Sequence, residues 1–396
     1  MKLLIVSHYF ESHHSGVELV AGRLAKDLAG LSEDIVWVAS NATPPPSERQ
    51  VRYRAVGISA LNVTERYLGI PFPVPSLGAL CRLRREVRHA DAVLLQDSMY
   101  PVCVAAYIFA RLSRKPVVIA QHVGIVPYRN RVFRTLMEVA NRIIVRPMLA
   151  GANQVIFISE ITARYFQEVR FRSPPKLVFN GVDTDLFFPV TPCKKLQLRE
   201  HLDLAPDCRI VLFVGRFVEK KGLRILSRMV RLRPDVVWAF AGWGPLNPRD
   251  WGLPNLIVFS GLSGPSIAPL YQASDVFVLP SKGEGFPLVI QEALVCGLPV
   301  VCSAETTGAD AEVSAFLSDV PLDENDPEAT ALAFCAEIDR IFTDGRNRDH
   351  GVDERFRFVS QRYCWSSTAV QYLNLIRSAV ANSRSSPETP GSEGVI

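Results

Sequence analysis

Short apolar runs alternate with amphipathic segments along this 396-residue chain, and the runs are of strand length. In the first half, Lys2–Ser7, Ile35–Ala39, Ala92–Gln96, Val117–Gln121 and Gln154–Ile158 read as buried strands. Between the first two, Val17, Val20, Leu24 and Leu28 recur at helical spacing. The rhythm restarts with Ile210–Val214, Val236–Ala241, Leu256–Phe259, Val276–Pro280 and Pro299–Cys302. Apolar strands separated by helices are the pattern of a parallel sheet covered on both faces. Two α/β units of similar size are expected, joined near Phe188–Lys195. Residues 382–396, rich in Ser, Pro, Gly and Glu, are expected to be disordered. Arg131–Met148 also keeps a helical period, with Arg131, Arg134, Glu138 and Arg142 opposite Phe133, Leu136, Met137, Ala140 and Ile144. Such a basic amphipathic helix either packs on its own domain or lies on a membrane surface.

Composition narrows the class. With 48% hydrophobic and 21% charged residues the chain reads as soluble and globular, long enough for two domains. No apolar run approaches the ~20 residues of a membrane-spanning helix. Leu3–Val6 is too short for a signal-peptide core, so a cytoplasmic location is expected. The eight cysteines show neither C-x-x-C nor metal spacing and read as reduced thiols. Residues 1–190 hold 23 Lys/Arg against 15 Asp/Glu, a net of +8, and the remainder 21 against 25, a net of −4. No nucleic-acid motif accompanies the arginines, and no nucleic-acid partner is expected. An anionic membrane face suits the basic half as well as an ordinary arginine-rich surface does.

Candidate chemistry concentrates in Ser281–Ala293, just after a strand. Gly283 and Gly285 flank Glu284, and Pro287 suits the first turn of a helix, where its missing N–H costs nothing. Glu284 is then expected on the loop and Glu292 about a turn and a half into the helix. Carboxylates for hydroxyl groups and a helix N-terminus for phosphates suit a sugar nucleotide. At Gly215 another strand ends, and Arg216 and Lys221 follow; the first can fork two phosphate oxygens, the second acts as a point charge. Gly242-Trp243-Gly244-Pro245 is a further turn, without the third glycine of a dinucleotide fingerprint. The N–H groups of Gly16 and Val17, in Ser15-Gly16-Val17-Glu18, can cradle a phosphate, and His13 and His14 before them read as solvated or acceptor-facing. His122 ends the strand Val117–Gln121, where a histidine is either structural or part of a site. Asp183 and Asp185 have a D-x-D spacing that can hold Mn²⁺ or Mg²⁺, but they follow the turn signal Asn180-Gly181 and read as structural.

The string E-G-F-P-x-x-x-x-E-A-x-x-x-G-x-P-V-V, from Glu284 to Val301, resembles the signature of retaining glycosyltransferases of family 4, which have the GT-B fold. Gly215–Gly222 resembles the family's G-R-x-x-x-x-K-G element, Gly242–Pro245 its G-x-G-P turn, and Asn180–Pro189 its N-G-V-D-x-x-x-F-x-P junction. Tyr363–Ser366, with Val370, Tyr372 and Leu373, resembles its closing segment. Where the family shows two glycines, this chain has Ser15 and Gly16. The likeness runs from residue 3 to near residue 377.

The resemblance implies two Rossmann-like domains facing a central cleft. Residues 1–188 would bind the acceptor, 189–365 the donor, and a helix over 366–381 would cross back to the first domain. The donor would be a nucleoside-diphosphate sugar, with no metal or other cofactor. Arg216 and Lys221 would hold the diphosphate, Glu284 and His122 the sugar, and Glu292 the ribose. Gly16, Gly242, Gly285, Phe286, Pro287 and Leu288 would complete the donor site. The acceptor would be a glycan or lipid-linked intermediate of lipopolysaccharide or other surface polysaccharide, reached at the cytoplasmic face of an anionic membrane. A sugar-nucleotide epimerase of the same fold and a catalytically silent glycan-binding relative are the alternatives.

Overall fold

The computed structural model describes residues 1–13, 16–47, 52–63, 65, 72–124, 131–323, 325–343 and 350–385. The first domain holds β1 (Lys2–Val6), β2 (Asp34–Ser40), β3 (Arg54–Ile58), β4 (Ala60–Leu61), β5 (Val74–Pro75), β6 (Ala92–Gln96), β7 (Val117–Gln121), β8 (Gln154–Phe157) and β9 (Lys176–Leu177). Seven of these form a parallel sheet in the order β3-β2-β1-β6-β7-β8-β9, while β4 and β5 pair antiparallel. In the second domain β10 (Ile210–Val214), β11 (Val237–Ala241), β12 (Leu256–Phe259), β13 (Val276–Leu279), β14 (Val300–Ser303) and β15 (Leu317–Val320) form a parallel sheet in the order β12-β11-β10-β13-β14-β15. Each order reverses once, between β1 and β6 and between β10 and β13. At that reversal the flanking loops diverge and open a crevice at the strand C-termini.

Side-chain alternation accounts for the layering. Leu3 and Ile5 enter one buried cluster of the first domain, Leu4 and Val6 the other, so both faces of the sheet are covered. The helix Trp365–Ser385 supplies part of one cover: Trp365, Ala369, Tyr372, Leu373, Ile376 and Ala379 pack beside Leu24 and Leu28 of the helix Gly16–Gly30. That helix includes residues 382–385, which composition had assigned to a disordered tail; Ser383 Oγ donates to the Val380 carbonyl (2.9 Å) within it. Residues 386–396 lie outside the described residues.

The chain enters the second domain earlier than expected. Val182 and Phe187 already belong to its core, and Phe187 meets Tyr271 edge to face. Val182 bridges Cys364 and donates its N–H to the Tyr363 carbonyl (2.8 Å), so the outgoing and returning segments lie side by side. Strands β3, β9 and β15 escape the pattern because they are short or interrupted by Gly57, Ser318 and Asp319 near the sheet edges.

The basic segment is helical in three pieces: Arg131–Ala140, a π-turn over Asn141–Val145, and Arg146–Gly151. Pro147 explains the wide turn, since its ring has no N–H and clashes with a carbonyl four residues back. The expected apolar face does not bury as one stripe. Asn141, Val145, Met148 and Leu149 face the domain, whereas Leu136 and Ile143 are 58% and 64% exposed. The side chains of Arg131 and Phe133 lie outside the described residues.

Candidate active site

The second domain contributes three loops, each leaving a strand C-terminus beside the reversal of its sheet. The loop after β10 carries Arg216, Lys220 and Lys221; that after β11 carries Trp243; that after β13 carries Glu284. Lys221 Nζ lies 3.1 Å and Lys220 Nζ 3.4 Å from Glu284 Oε1. Burial opposes the charge on Glu284, yet the two lysines hold its carboxyl below the ordinary value. The same burial draws Lys221 below the ordinary lysine value. Arg216 lies with its guanidinium carbon 4.6 Å from the Trp243 ring centre, a cation–π contact. Lys220 and Lys221 face the Glu284 carboxylate and Arg216 lies on Trp243 of the neighbouring loop, so the three loops together carry a formal +2 suited to a diphosphate.

The glycines set how closely these loops approach. Gly242 has φ +154°, and a Cβ there would overlap the Gly215 carbonyl oxygen. Gly285 meets the other domain: its Cβ would lie 2.5 Å from the backbone oxygen of His122. The two halves of the cleft therefore touch backbone to backbone at this point. Next to Gly285, Gly283 donates its N–H to Glu305 (3.2 Å to each oxygen), a buttress that sequence spacing gave no hint of.

Residues 14–186 match the profile Glycosyltransferase Family 4, and residues 208–340 match Glycosyl transferases group 1. The chain belongs to the group 1 glycosyltransferases. It is 27% identical over 218 residues to the uncharacterized glycosyltransferase MJ1607 of Methanocaldococcus jannaschii, covering 52% of this chain and 54% of that one. To the D-inositol 3-phosphate glycosyltransferase of Thermomonospora curvata it is 32% identical over 255 residues, covering 58% of each. The chain thus spans about half the length of the curated relatives it matches. Among solved structures, Anabaena Alr3699/HepE in complex with UDP and glucose superimposes with a TM-score of 0.73 at 19% identity, over 96% of this chain and 100% of that one. The fold is GT-B.

On this group 1 framework the remaining expected residues are distributed as follows. The helix starts at Leu288 and Pro287 caps it, one residue before the expected first-turn position; its φ of −64° suits either place. Glu292 is on that helix and accepts from Tyr271 Oη (2.7 Å). Phe286 turns into the core against Tyr363, and Leu288 packs on the buried cluster of the first domain. Gly16 opens the helix Gly16–Gly30, with open space where a Cβ would stand. His122 is buried, its Nε2 2.7 Å from Gln96 Oε1, and burial lowers it to about 4, so the ring is neutral at neutral pH. Asp183 accepts from Arg23 and from the Asp185 N–H (3.2 Å), joining the junction to the first helix.

Of the two readings for His13, solvated or acceptor-facing, the first is corrected: the ring is buried. Its Nδ1 lies 3.3 Å from Glu18 and its Nε2 2.7 Å from Glu65, while His8 Nε2 is 2.8 Å from Glu18. Burial opposes the charge on His13, but the hydrogen bonds it donates to the two carboxylates outweigh it and raise the ring to about 9. Glu65 and Tyr9 were not singled out from sequence, and Glu18 and Trp243 entered only inside longer motifs, because nothing in their spacing shows that they converge. His14 and Ser15 lie outside the described residues.

Glu292 yields a pH-dependent prediction. Burial lifts its carboxyl to about 7 from 4.5, the Tyr271 hydrogen bond only partly opposing this. Between those values the folded state keeps a proton that the unfolded state has lost, so stability falls as pH rises through the window. Glu292→Gln is expected to melt above the wild type at about pH 8 and to match it near pH 5. Parallel thermal melts at the two pH values check this; equal differences at both would remove the assignment.

Proposed function

We propose that this chain is a retaining glycosyltransferase that moves a sugar from a nucleoside diphosphate to an acceptor hydroxyl without a metal. The observation that carries the reading is the Lys220–Lys221 pair on Glu284, with Arg216 on Trp243 of the neighbouring loop, at the sheet reversal where Gly285 meets the His122 backbone. As the bond between the sugar C1 and the diphosphate breaks, negative charge gathers on the departing oxygen, and Arg216 and Lys221 stabilise it. Glu284 exchanges its lysine contacts for sugar hydroxyls, Glu292 takes the ribose, and neutral His122 lies beside the sugar. The departing phosphate accepts the acceptor's proton while the new C1–O bond forms on the same face. No further carboxylate stands out in the sequence as a nucleophile.

A thermal-shift screen of UDP, GDP, ADP, dTDP and CMP, with metal chelated, tests the donor half of this reading. One diphosphate is expected to raise the melting temperature, and the corresponding sugar nucleotide to be consumed when acceptor is present. Conversion of the sugar nucleotide to its epimer without acceptor would instead support the epimerase reading.

We further propose that the acceptor is a lipid-linked or polysaccharide intermediate met at the cytoplasmic face of an anionic membrane. Exposed Leu136, Val139 and Ile143 recur at helical spacing beside exposed Arg134 and Arg142. That pairing of apolar and cationic side chains suits the headgroup region of anionic lipid. In the described residues no helix is long and apolar enough to cross a membrane. The protein is expected to sediment with vesicles containing phosphatidylglycerol and not with pure phosphatidylcholine, and a Leu136→Asp/Ile143→Asp variant to stay in solution. Sedimentation unaffected by lipid charge or by the substitutions would refute this surface.

A further inference from the structure

The first domain presents a polar network to the cleft that the donor chemistry leaves unused. Glu65 lies at its centre. One carboxylate oxygen accepts from Tyr9 Oη (2.6 Å) and Asn62 Nδ2 (2.8 Å), and the other lies 2.7 Å from His13 Nε2. Tyr9 Oη also lies 2.7 Å from Asn62 Oδ1, and its ring stacks on His13 with centres 4.2 Å apart. Behind His13, Glu18 is fully buried. Across the cleft Trp243, 42% exposed, meets the edge of His13 at 5.7 Å. Glu65, 18% exposed at its side chain, reaches the same space.

An accessible indole beside an oriented carboxylate and amide is the arrangement that holds a pyranose. The ring's C–H face lies on the aromatic surface, and neighbouring hydroxyls donate to the carboxylate and pair with the amide. Charge limits which polyol fits. Both ring nitrogens of His13 already face carboxylates, so this histidine offers no free N–H to a phosphate. A phosphate entering here would find the nearby cations engaged, His13 by Glu18 and Glu65 and Arg216 by the donor diphosphate, and would meet the carboxylate of Glu65 instead.

We infer that Trp243 together with Asn62 and Glu65, the last held by the fully buried Tyr9, forms the acceptor subsite, and that it takes an uncharged hexopyranose rather than a phosphorylated polyol. This rests on the glycosyltransferase reading. It places the acceptor between the two domains, with Trp243 shared between the acceptor and Arg216 of the donor site. Trp243 and Glu65 are binding residues, and His13 and Glu18 position Glu65.

The test separates this subsite from the donor reading. Saturation-transfer NMR with methyl hexopyranosides and, separately, with glucose 6-phosphate and inositol 1-phosphate would be recorded on the full chain, with the diphosphate selected by thermal shift. Neutral glycosides are expected to give signal and the phosphorylated compounds none. Glu65→Gln, Asn62→Ala and Trp243→Ala are each expected to weaken glycoside binding about tenfold, the size of one lost charged hydrogen bond or stacking contact. The diphosphate thermal shift should persist in Glu65→Gln and Asn62→Ala, which also reports that these variants fold. Stronger binding of a phosphorylated compound would overturn the proposal. So would glycoside binding unchanged in all three variants, or its absence while the diphosphate still binds. Loss of diphosphate binding in the wild type would instead refute the transferase reading, and this subsite with it.

Discussion

Replacing Arg216 and Lys221 together by alanine is expected to lower sugar transfer by about 10³-fold or more, the cost of removing charge stabilisation from a departing oxyanion. The diphosphate leaves with charge that water cannot reach well inside a closed cleft, so fixed cations matter most when the bond breaks. Arg216 supplies a planar fork, already oriented by the Trp243 ring. Lys221 supplies a point charge held 3.1 Å from Glu284. Because both act on one group, the double variant should fall little below the worse single variant. Lys220 remains beside Glu284 in the double variant, which limits the cost of leaving that carboxylate buried. Transfer rates would be measured with saturating acceptor and with donor varied. Activity within tenfold of wild type would remove these residues from the leaving-group site.

Gly285→Ala is expected to cost about 100-fold in transfer, the penalty for displacing reacting groups by about an ångström, with little change in melting temperature. The added Cβ would lie 2.5 Å from the His122 carbonyl oxygen, 3.4 Å from Ile158 and 3.5 Å from Thr162. All three partners belong to the first domain, and the nearest is backbone that cannot rotate aside. The least costly relief is a slight opening of the cleft, which spares both cores but separates His122 from the donor loop. Full activity in this variant would mean that the working state does not bring these backbones together. A melting temperature far below wild type would mean instead that the contact holds the two domains in place.

The contrast between Glu284 and Glu65 shows which parts of the site were legible beforehand. Glu284 stands among Gly283, Gly285 and Pro287, whose backbone requirements announce a tight loop before a helix. Its place was therefore readable from neighbours along the chain. Its pairing with Lys220 and Lys221 was not, since those residues leave a different strand. Glu65 has no such local setting, and its partners Tyr9, Asn62 and His13 come from the loops after β1 and β4. The solvated alternative for His13 failed for the same reason, because polarity suggests exposure unless the two carboxylates that face it are known.

The sequence by itself determined the ten principal strands, their separation into two parallel-sheet units, and the loops at Gly215–Gly222 and Ser281–Pro287. These follow from period, turn chemistry and backbone restriction, which act between residues close along the chain. Only the tertiary structure decided that Val182 already belongs to the second core, that Pro147 breaks the basic segment, and that Leu136 and Ile143 remain outside it. It alone decided that His13 is enclosed, that Trp243 spans the cleft, and that Glu292 is buried far enough to hold its proton up to about 7. Burial and charge pairing depend on what the rest of the chain brings alongside, and distance in space is not written in local spacing.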